Sequence, residues 1–321
     1  MSVALHQEPP PHAPEAGWSR RLLGPFHVTG VFWFRAHRWG VTVLPSWAIG
    51  GMIALFTNFF WIALRKIRTA IAANLEAVLG PCGWWERQRR IYRTFWTFAW
   101  CLSERYERLC TDRELSIEAE GLDGWRELAA SGQGFVLVTA HLGAWEVGSM
   151  LPEARDGRRI HVVREAETDP RAQRFIEGLI RQRGGELYTT HFAENPQLGV
   201  DLLDALRRGE IVALQGDRPR AGGRTAEVSL FGRSFHLPVG PAALARAAGV
   251  PLVPVFVARE GRLRYRCWLQ RPIHVARSAD RRRDVGEALA RFAADLEAAI
   301  RRDPHQWFCF RALWRPQSRI Q

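Results

Sequence analysis

Gly134-Phe-Val-Leu-Val-Thr-Ala-His141-Leu-Gly143-Ala-Trp-Glu146 is the most informative stretch of this 321-residue chain. Between its first two glycines lies a short apolar run, Phe135–Thr139, rich in β-branched and aromatic residues. Such a run fits a strand buried on both faces, as in a parallel sheet. In open α/β sheets ligands bind beyond the carboxyl ends of the strands, and His141 stands at that place. Gly143 lets the backbone turn sharply, which puts Glu146 in the first turn of a following helix, where the helix dipole favours a carboxylate. A carboxylate on one imidazole nitrogen fixes the tautomer and leaves the other nitrogen free to take a proton from a hydroxyl. Taken alone, the segment also fits a core histidine with a glutamate at a nearby helix start.

Outward from it, the chain after Thr111 alternates β-rich runs (135–139, 160–163, 211–214, 252–257) with helical stretches near 171–183, 196–208, 241–248 and 284–302. That alternation predicts an α/β fold with a largely parallel central sheet flanked by helices. Arg164 follows the second run. The third leads into Gln215-Gly216-Asp217-Arg218-Pro-Arg220, a second polar cluster at a strand end. Leu237-Pro-Val-Gly240-Pro241 precedes an Ala-rich helix, whose amino terminus can receive an anion or an acyl carbonyl.

Toward the amino terminus, Pro9, Pro10, Pro11, Pro14 and Pro25 mark residues 1–32 as a flexible tail, without the basic start and immediate apolar run of a cleaved signal. No charged residue or histidine falls within 39–64, and 47–64 approaches the ~20 residues that span a bilayer. Arg35 and Arg38 precede this stretch and Arg65, Lys66 and Arg68 follow it. It predicts a membrane anchor or embedded helix; the alternative is a core hairpin broken near Pro45 and Gly50-Gly51, which Asn58 favours. Residues 66–110 are helical by their apolar spacing. The expected organisation is a helical membrane-associated region at 33–110 and an α/β domain at 111–321.

The net charge of +12 calls for an anionic partner, whether nucleic acid, acidic membrane or acidic carrier protein, although Lys66 is the lone lysine and codon bias contributes to an arginine excess of this kind. Five dispersed cysteines suggest neither a zinc knuckle nor a disulfide framework. No cofactor or metal is expected: Gly-x-Ser-x-Gly, P-loop and His-Glu-x-x-His patterns are missing, and His161, His191, His236, His274 and His305 lack ligand spacing. Fourteen tryptophans, several of them in the first quarter, suit a membrane interface.

In this order the segments resemble the lysophospholipid acyltransferase superfamily, especially its branch of late lipid A (lauroyl/myristoyl) acyltransferases. His141 and Glu146 match the catalytic His-(four residues)-acid motif. Leu214-Gln-Gly-Asp-Arg218 stands where glycerolipid enzymes carry Phe-Pro-Glu-Gly-Thr-Arg, with Gly216 and Arg218 matching, Gln215 in place of Glu and Asp217 as the available acid. Val250-Pro-Leu-Val-Pro254, Val162-Val-Arg164, the segment from Arg65 to Asn74, and Pro304-His-Gln-Trp307-Phe also match, so the resemblance spans about 33–315. It implies acyl transfer from an acyl carrier protein or acyl-CoA thioester to a lipid or glycolipid hydroxyl, with His141 as base and Glu146 orienting it. Arg164, Asp217 and Arg218 are the expected substrate-binding residues, and a backbone N–H near Gly143 or Gly240 the oxyanion donor. The expected location is the inner (cytoplasmic) membrane, catalytic domain facing the cytoplasm, with no nucleic-acid partner. Rival acceptors are a lysophospholipid, a glycolipid mannoside or an amino-acid lipid. Rival classes are a thioester hydrolase and a non-catalytic anionic membrane or nucleic-acid binding module.

Overall fold

The computed structural model describes residues 31–144, 157–166, 169–184, 188–220 and 222–314. Their central sheet comprises β1 (Ser116–Glu120), β2 (Phe135–Thr139), β3 (Ile160–Arg164), β4 (Tyr188–Phe192), β5 (Ile211–Gln215), β8 (Leu252–Gly261) and β9 (Arg264–Leu269), while β6 (Thr225–Leu230) and β7 (Arg233–Pro238) form a separate antiparallel hairpin. The strand order is β1-β9-β8-β2-β5-β3-β4, and every neighbouring pair is parallel except β8 with β9.

All five residues of β2 are buried, because they serve two cores. Val136 and Val138 point into a cluster with Phe292, Leu289 and Leu296 of α9 (Arg281–Arg302), Leu202 and Leu206 of α7 (Leu198–Arg207), and Ala242 and Ala245 of α8 (Gly240–Ala248). Phe135 and Leu137 point the other way, toward Trp125 and Leu128 of α5 (Leu122–Ala130) and Tyr265 of β9. The period of two thus places helices on both faces. Register sets Thr139 opposite Gln215 and Val162 opposite Ala213, so that β2, β5 and β3 end along one edge, where Thr139, Gln215 and Arg164 stand.

Before the sheet come α1 (Val31–Val43), α2 (Ser46–Ala63), α3 (Arg65–Leu79) and α4 (Trp84–Cys110). Pro45 separates α1 from α2, whereas Gly50 and Gly51 lie inside α2. The stretch expected to be helical over 66–110 is interrupted between α3 and α4, where Gly80 has φ +78° and Pro81 lacks an N–H.

Helix α2 is long and apolar enough to cross a membrane, and only 17% of it is buried against the rest of the chain. Its 18 residues span about 27 Å. Ile49, Ile53 and Thr57 make the buried stripe that faces α4; Trp47, Leu55, Phe59 and Ile62 are exposed. The polar Asn58 is satisfied within the helix, donating to the Ala54 carbonyl at 2.8 Å. A core helix would be covered on more than one stripe, so the hairpin alternative does not describe this fold.

Helix α4 joins the helical region to the sheet through Glu104, whose carboxylate is fully buried. Arg259 donates two hydrogen bonds to it, at 3.0 and 2.9 Å, Leu263 donates its backbone N–H at 3.1 Å, and the Tyr265 hydroxyl donates a further one. Removing one member of a buried ion pair leaves the other desolvated and unpaired, at a cost of about 3–5 kcal/mol. Glu104→Ala is therefore expected to lose roughly that much stability in denaturant titrations of the detergent-solubilised protein. A change below about 1 kcal/mol would show that the junction rests on apolar packing instead.

Candidate active site

The site begins where β2 ends. His141 follows the strand by two residues, and the chain then turns at Gly143, which has φ +56°. A Cβ there would stand 2.2 Å from the Val257 carbonyl oxygen, so the backbone comes this close to β8 only with glycine. On the neighbouring strand end, Gly216 donates its N–H to the Thr139 carbonyl at 2.8 Å, and a Cβ at Gly216 would fall 2.5 Å from a Val138 methyl. These approaches bring Asp217, which follows β5, against His141.

His141 Nδ1 lies 2.7 Å from Asp217 Oδ1, with the imidazole partly exposed and the carboxylate fully buried. Arg218 Nε is also 3.2 Å from Nδ1 and 3.9 Å from Asp217 Oδ2. One ring nitrogen cannot donate to a carboxylate and accept from a guanidinium at once. The shorter, charge-assisted bond decides the tautomer: Nδ1 carries the proton and donates to Asp217, and Arg218 acts on the pair by its charge. Nε2 is then the unprotonated nitrogen, the one that can accept a proton.

Burial alone would raise the Asp217 pKa. The charge and hydrogen bond of His141, the charge of Arg218 and a hydrogen bond from Trp307 outweigh it and hold the carboxyl well below the usual range. Its second oxygen accepts the Trp307 indole N–H at 3.0 Å. Both oxygens are thus engaged inside the protein. Asp217, expected to bind substrate, is in this structure the partner of His141.

The other expected residues are distributed as follows. Glu146 lies outside the described residues. Arg164, half-buried at the end of β3, stands on the same sheet edge as Gln215, and its carbonyl accepts the Ala193 N–H at 2.9 Å. Gly240 opens α8, which packs on β2 and β8. The N–H of Gly143 itself donates to the Gln306 carbonyl at 2.9 Å. Among the described residues no group of three or more His, Cys, Asp or Glu side chains could hold a metal ion.

Trp307 was legible as part of Pro304-His-Gln-Trp307-Phe, but nothing in the sequence connects it with Asp217. Its segment crosses the His141 turn: Phe308 donates its N–H to the His141 carbonyl at 2.8 Å, and Leu142 and Trp307 form an antiparallel bridge.

Comparison with known proteins gives matches along most of the chain. The model of the bacterial lipid A biosynthesis acyltransferase family matches residues 21–316. Phosphatidylinositol mannoside acyltransferases from two Mycobacterium tuberculosis strains, CDC 1551 / Oshkosh and ATCC 25618 / H37Rv, are each 30% identical over 243 residues, covering 73% of this chain and 74% of their own. Among solved structures, the 1-acyl-sn-glycerophosphate acyltransferase PlsC from Thermotoga maritima aligns at a TM-score of 0.36 and 14% identity, over 77% of this chain and 95% of its own.

Because the folded-state pKa of Asp217 is depressed, its contribution to stability is present above the unfolded value of about 3.9 and is lost as pH falls through the lower folded value. Asp217→Asn is expected to be less stable than the wild type at neutral pH, with the gap closing only as pH is taken below about 4. Denaturant titrations across that range provide the check; equal stabilities at pH 7 would mean that the carboxylate gains nothing from folding.

Proposed function

We propose that this chain, which belongs to the bacterial lipid A biosynthesis acyltransferase family, transfers a fatty acyl group from an acyl carrier protein or CoA thioester to a hydroxyl of a membrane lipid or glycolipid. The observation that carries the mechanism is the His141–Asp217 bond of 2.7 Å at the carboxyl end of β2. Held in this tautomer, His141 takes the acceptor's hydroxyl proton at Nε2 as the oxygen attacks the thioester carbonyl. The tetrahedral oxyanion collapses, the acyl–oxygen bond remains, the carbon–sulfur bond breaks, and the imidazolium returns its proton to the departing thiolate. Asp217 remains ionised throughout and stabilises the imidazolium.

Arg164 and Arg218, on the same strand-end edge, bind phosphate on donor or acceptor, where two parallel hydrogen bonds favour Arg over Lys. Glu146 enters as a second carboxylate, on the strength of its spacing from His141. A backbone N–H near Gly240 receives the oxyanion, a role favoured by its position at a helix start. The family supports an acceptor on the lipid A pathway. The mycobacterial relatives favour a second reading, in which the acceptor is a glycolipid mannoside. Helix α2 and the exposed tryptophans around it support attachment to the inner membrane, with the catalytic domain on the cytoplasmic side.

His141→Ala is expected to lower turnover by ~10²–10⁴, since positioned proton transfer has that worth, and to melt lower than the wild type because it strips the buried Asp217 carboxylate of a partner. Glu146→Gln should be damaging but less so. Arg164→Ala and Arg218→Ala should raise the Michaelis constant for the phosphorylated partner. These are read with purified enzyme, acyl-carrier-protein and acyl-CoA donors, and lipid A precursor or mannoside acceptors. Wild-type turnover in His141→Ala would sink the mechanism, and release of fatty acid that acceptor does not suppress would identify a hydrolase.

Attachment through α2 has its own test. Burial of apolar surface is insensitive to ionic strength, whereas surface charge is screened. The full-length protein should stay with the membrane pellet in high salt; complete release by salt alone would make the attachment electrostatic.

A further inference from the structure

The His141–Asp217 pair is reached by one residue from far along the chain. Trp307 donates its indole N–H to Asp217 Oδ2 at 3.0 Å, while Oδ1 holds His141. Without that donor, Oδ2 would be an anionic oxygen buried without a full complement of partners, and a terminal carboxylate torsion is soft enough to let it turn.

The indole is itself fixed. It is 5% exposed and packs at ring-centroid distances of 6.2 Å from Trp314 and 6.4 Å from Phe231. Its backbone is tied to the catalytic turn through His141, Leu142 and Gly143, as described above. Farther along, Asn74 of α3 binds the same segment three times: its amide donates to the Cys309 and Arg311 carbonyls at 3.1 and 2.9 Å, and its oxygen accepts the Leu313 N–H at 3.0 Å. A tryptophan that merely filled space would need no such alignment of its N–H.

We propose that Trp307 is a positioning residue for acyl transfer: its indole N–H locks the Asp217 carboxylate in the orientation that presents Oδ1 to His141. The proposal rests on the assignment of His141 as general base. The charged group on the other side of the pair is Arg218. Beyond it lies the thiol of Cys309, which burial pushes up to about 11, so it is neutral at physiological pH.

The test replaces Trp307 in the full-length enzyme with β-(3-benzothienyl)alanine, which keeps the bicyclic shape and has sulfur in place of the N–H, and in parallel with Phe. The analogue is expected to melt somewhat lower than the wild type, because Asp217 Oδ2 loses a donor, and to lose roughly ten- to hundredfold in kcat, the worth of a hydrogen bond to a charged group. Its Michaelis constants should stay unchanged. In an Asp217→Asn background the same replacement should cost almost nothing more, because its effect passes through the carboxylate. If Asp217→Asn is strongly impaired while the analogue keeps wild-type kcat, or if the two losses simply multiply, Trp307 is a packing residue and the proposal is overturned with the dyad intact. If Asp217→Asn keeps wild-type kcat, the His141–Asp217 assignment fails and the positioning role falls with it.

Discussion

The bond between His141 and Asp217 joins residues 76 apart in the chain, and the surrounding fold makes that encounter possible. Parallel strands cannot be linked by a hairpin; each connection needs a crossover long enough to return to the starting edge. β2 and β5 are neighbours in the sheet although β3 and β4 come between them in sequence, so their carboxyl ends meet through a long-range pairing. Glycine is required at 216, where the end of β5 meets Val138 of β2, and at 143, where the turn after β2 meets Val257 of β8. A dyad assembled in this way is a property of the sheet rather than of any local segment.

Two buried acids bear the electrostatic load of this arrangement. Asp217 and Glu104 have no exposed side-chain surface, and each is surrounded by donors from distant parts of the chain. Burying such charges gives little net stability compared with an apolar core, but stripping one of its partners is costly. The consequence is specificity of arrangement. Glu104 admits one docking of α4 onto the β8–β9 hairpin, and Asp217 one disposition of His141, Arg218 and the Trp307 segment. Thermodynamic cost and geometric precision have the same origin here.

What the sequence reveals follows from how local each signal is. β2 and the turn at His141 are legible because a fully buried strand bounded by glycines is written within ten residues. The runs at 160–163, 211–214 and 252–257 are legible for the same reason. β1 (Ser-Ile-Glu-Ala-Glu) and β4 (Tyr-Thr-Thr-His-Phe) are edge strands, and β6, β7 and β9 belong to antiparallel hairpins. Their mixed polar and apolar residues give no continuous apolar run, so pattern alone passes over them. The break between α3 and α4 is carried by Gly80-Pro81 within an otherwise continuous apolar spacing. The contact of Asp217 with His141 is set by strand order, to which spacing along the chain is blind. Trp307 belongs to the same class: its segment stands out, but its contact does not.

The helical region is more than a tether. The one buried stripe of α2 lies on α4: Trp61 meets Tyr92 at 6.1 Å between ring centroids, and Gly50 sits beside Trp100. Tyr92, Trp96 and Trp100 continue that ring contact along α4. Helix α4 then carries Glu104 to β8–β9, and β8 is hydrogen-bonded to the strand that ends at His141. Helix α3 reaches the site separately, through Asn74 and the segment bearing Trp307. Two packed routes therefore run from the apolar surface to the dyad, and no long flexible linker interrupts either. Removing the first two helices would strip the aromatic face of α4, exposing apolar surface that water does not tolerate. The long apolar helix α2 and the strand ends where His141 stands thus belong to one packed unit.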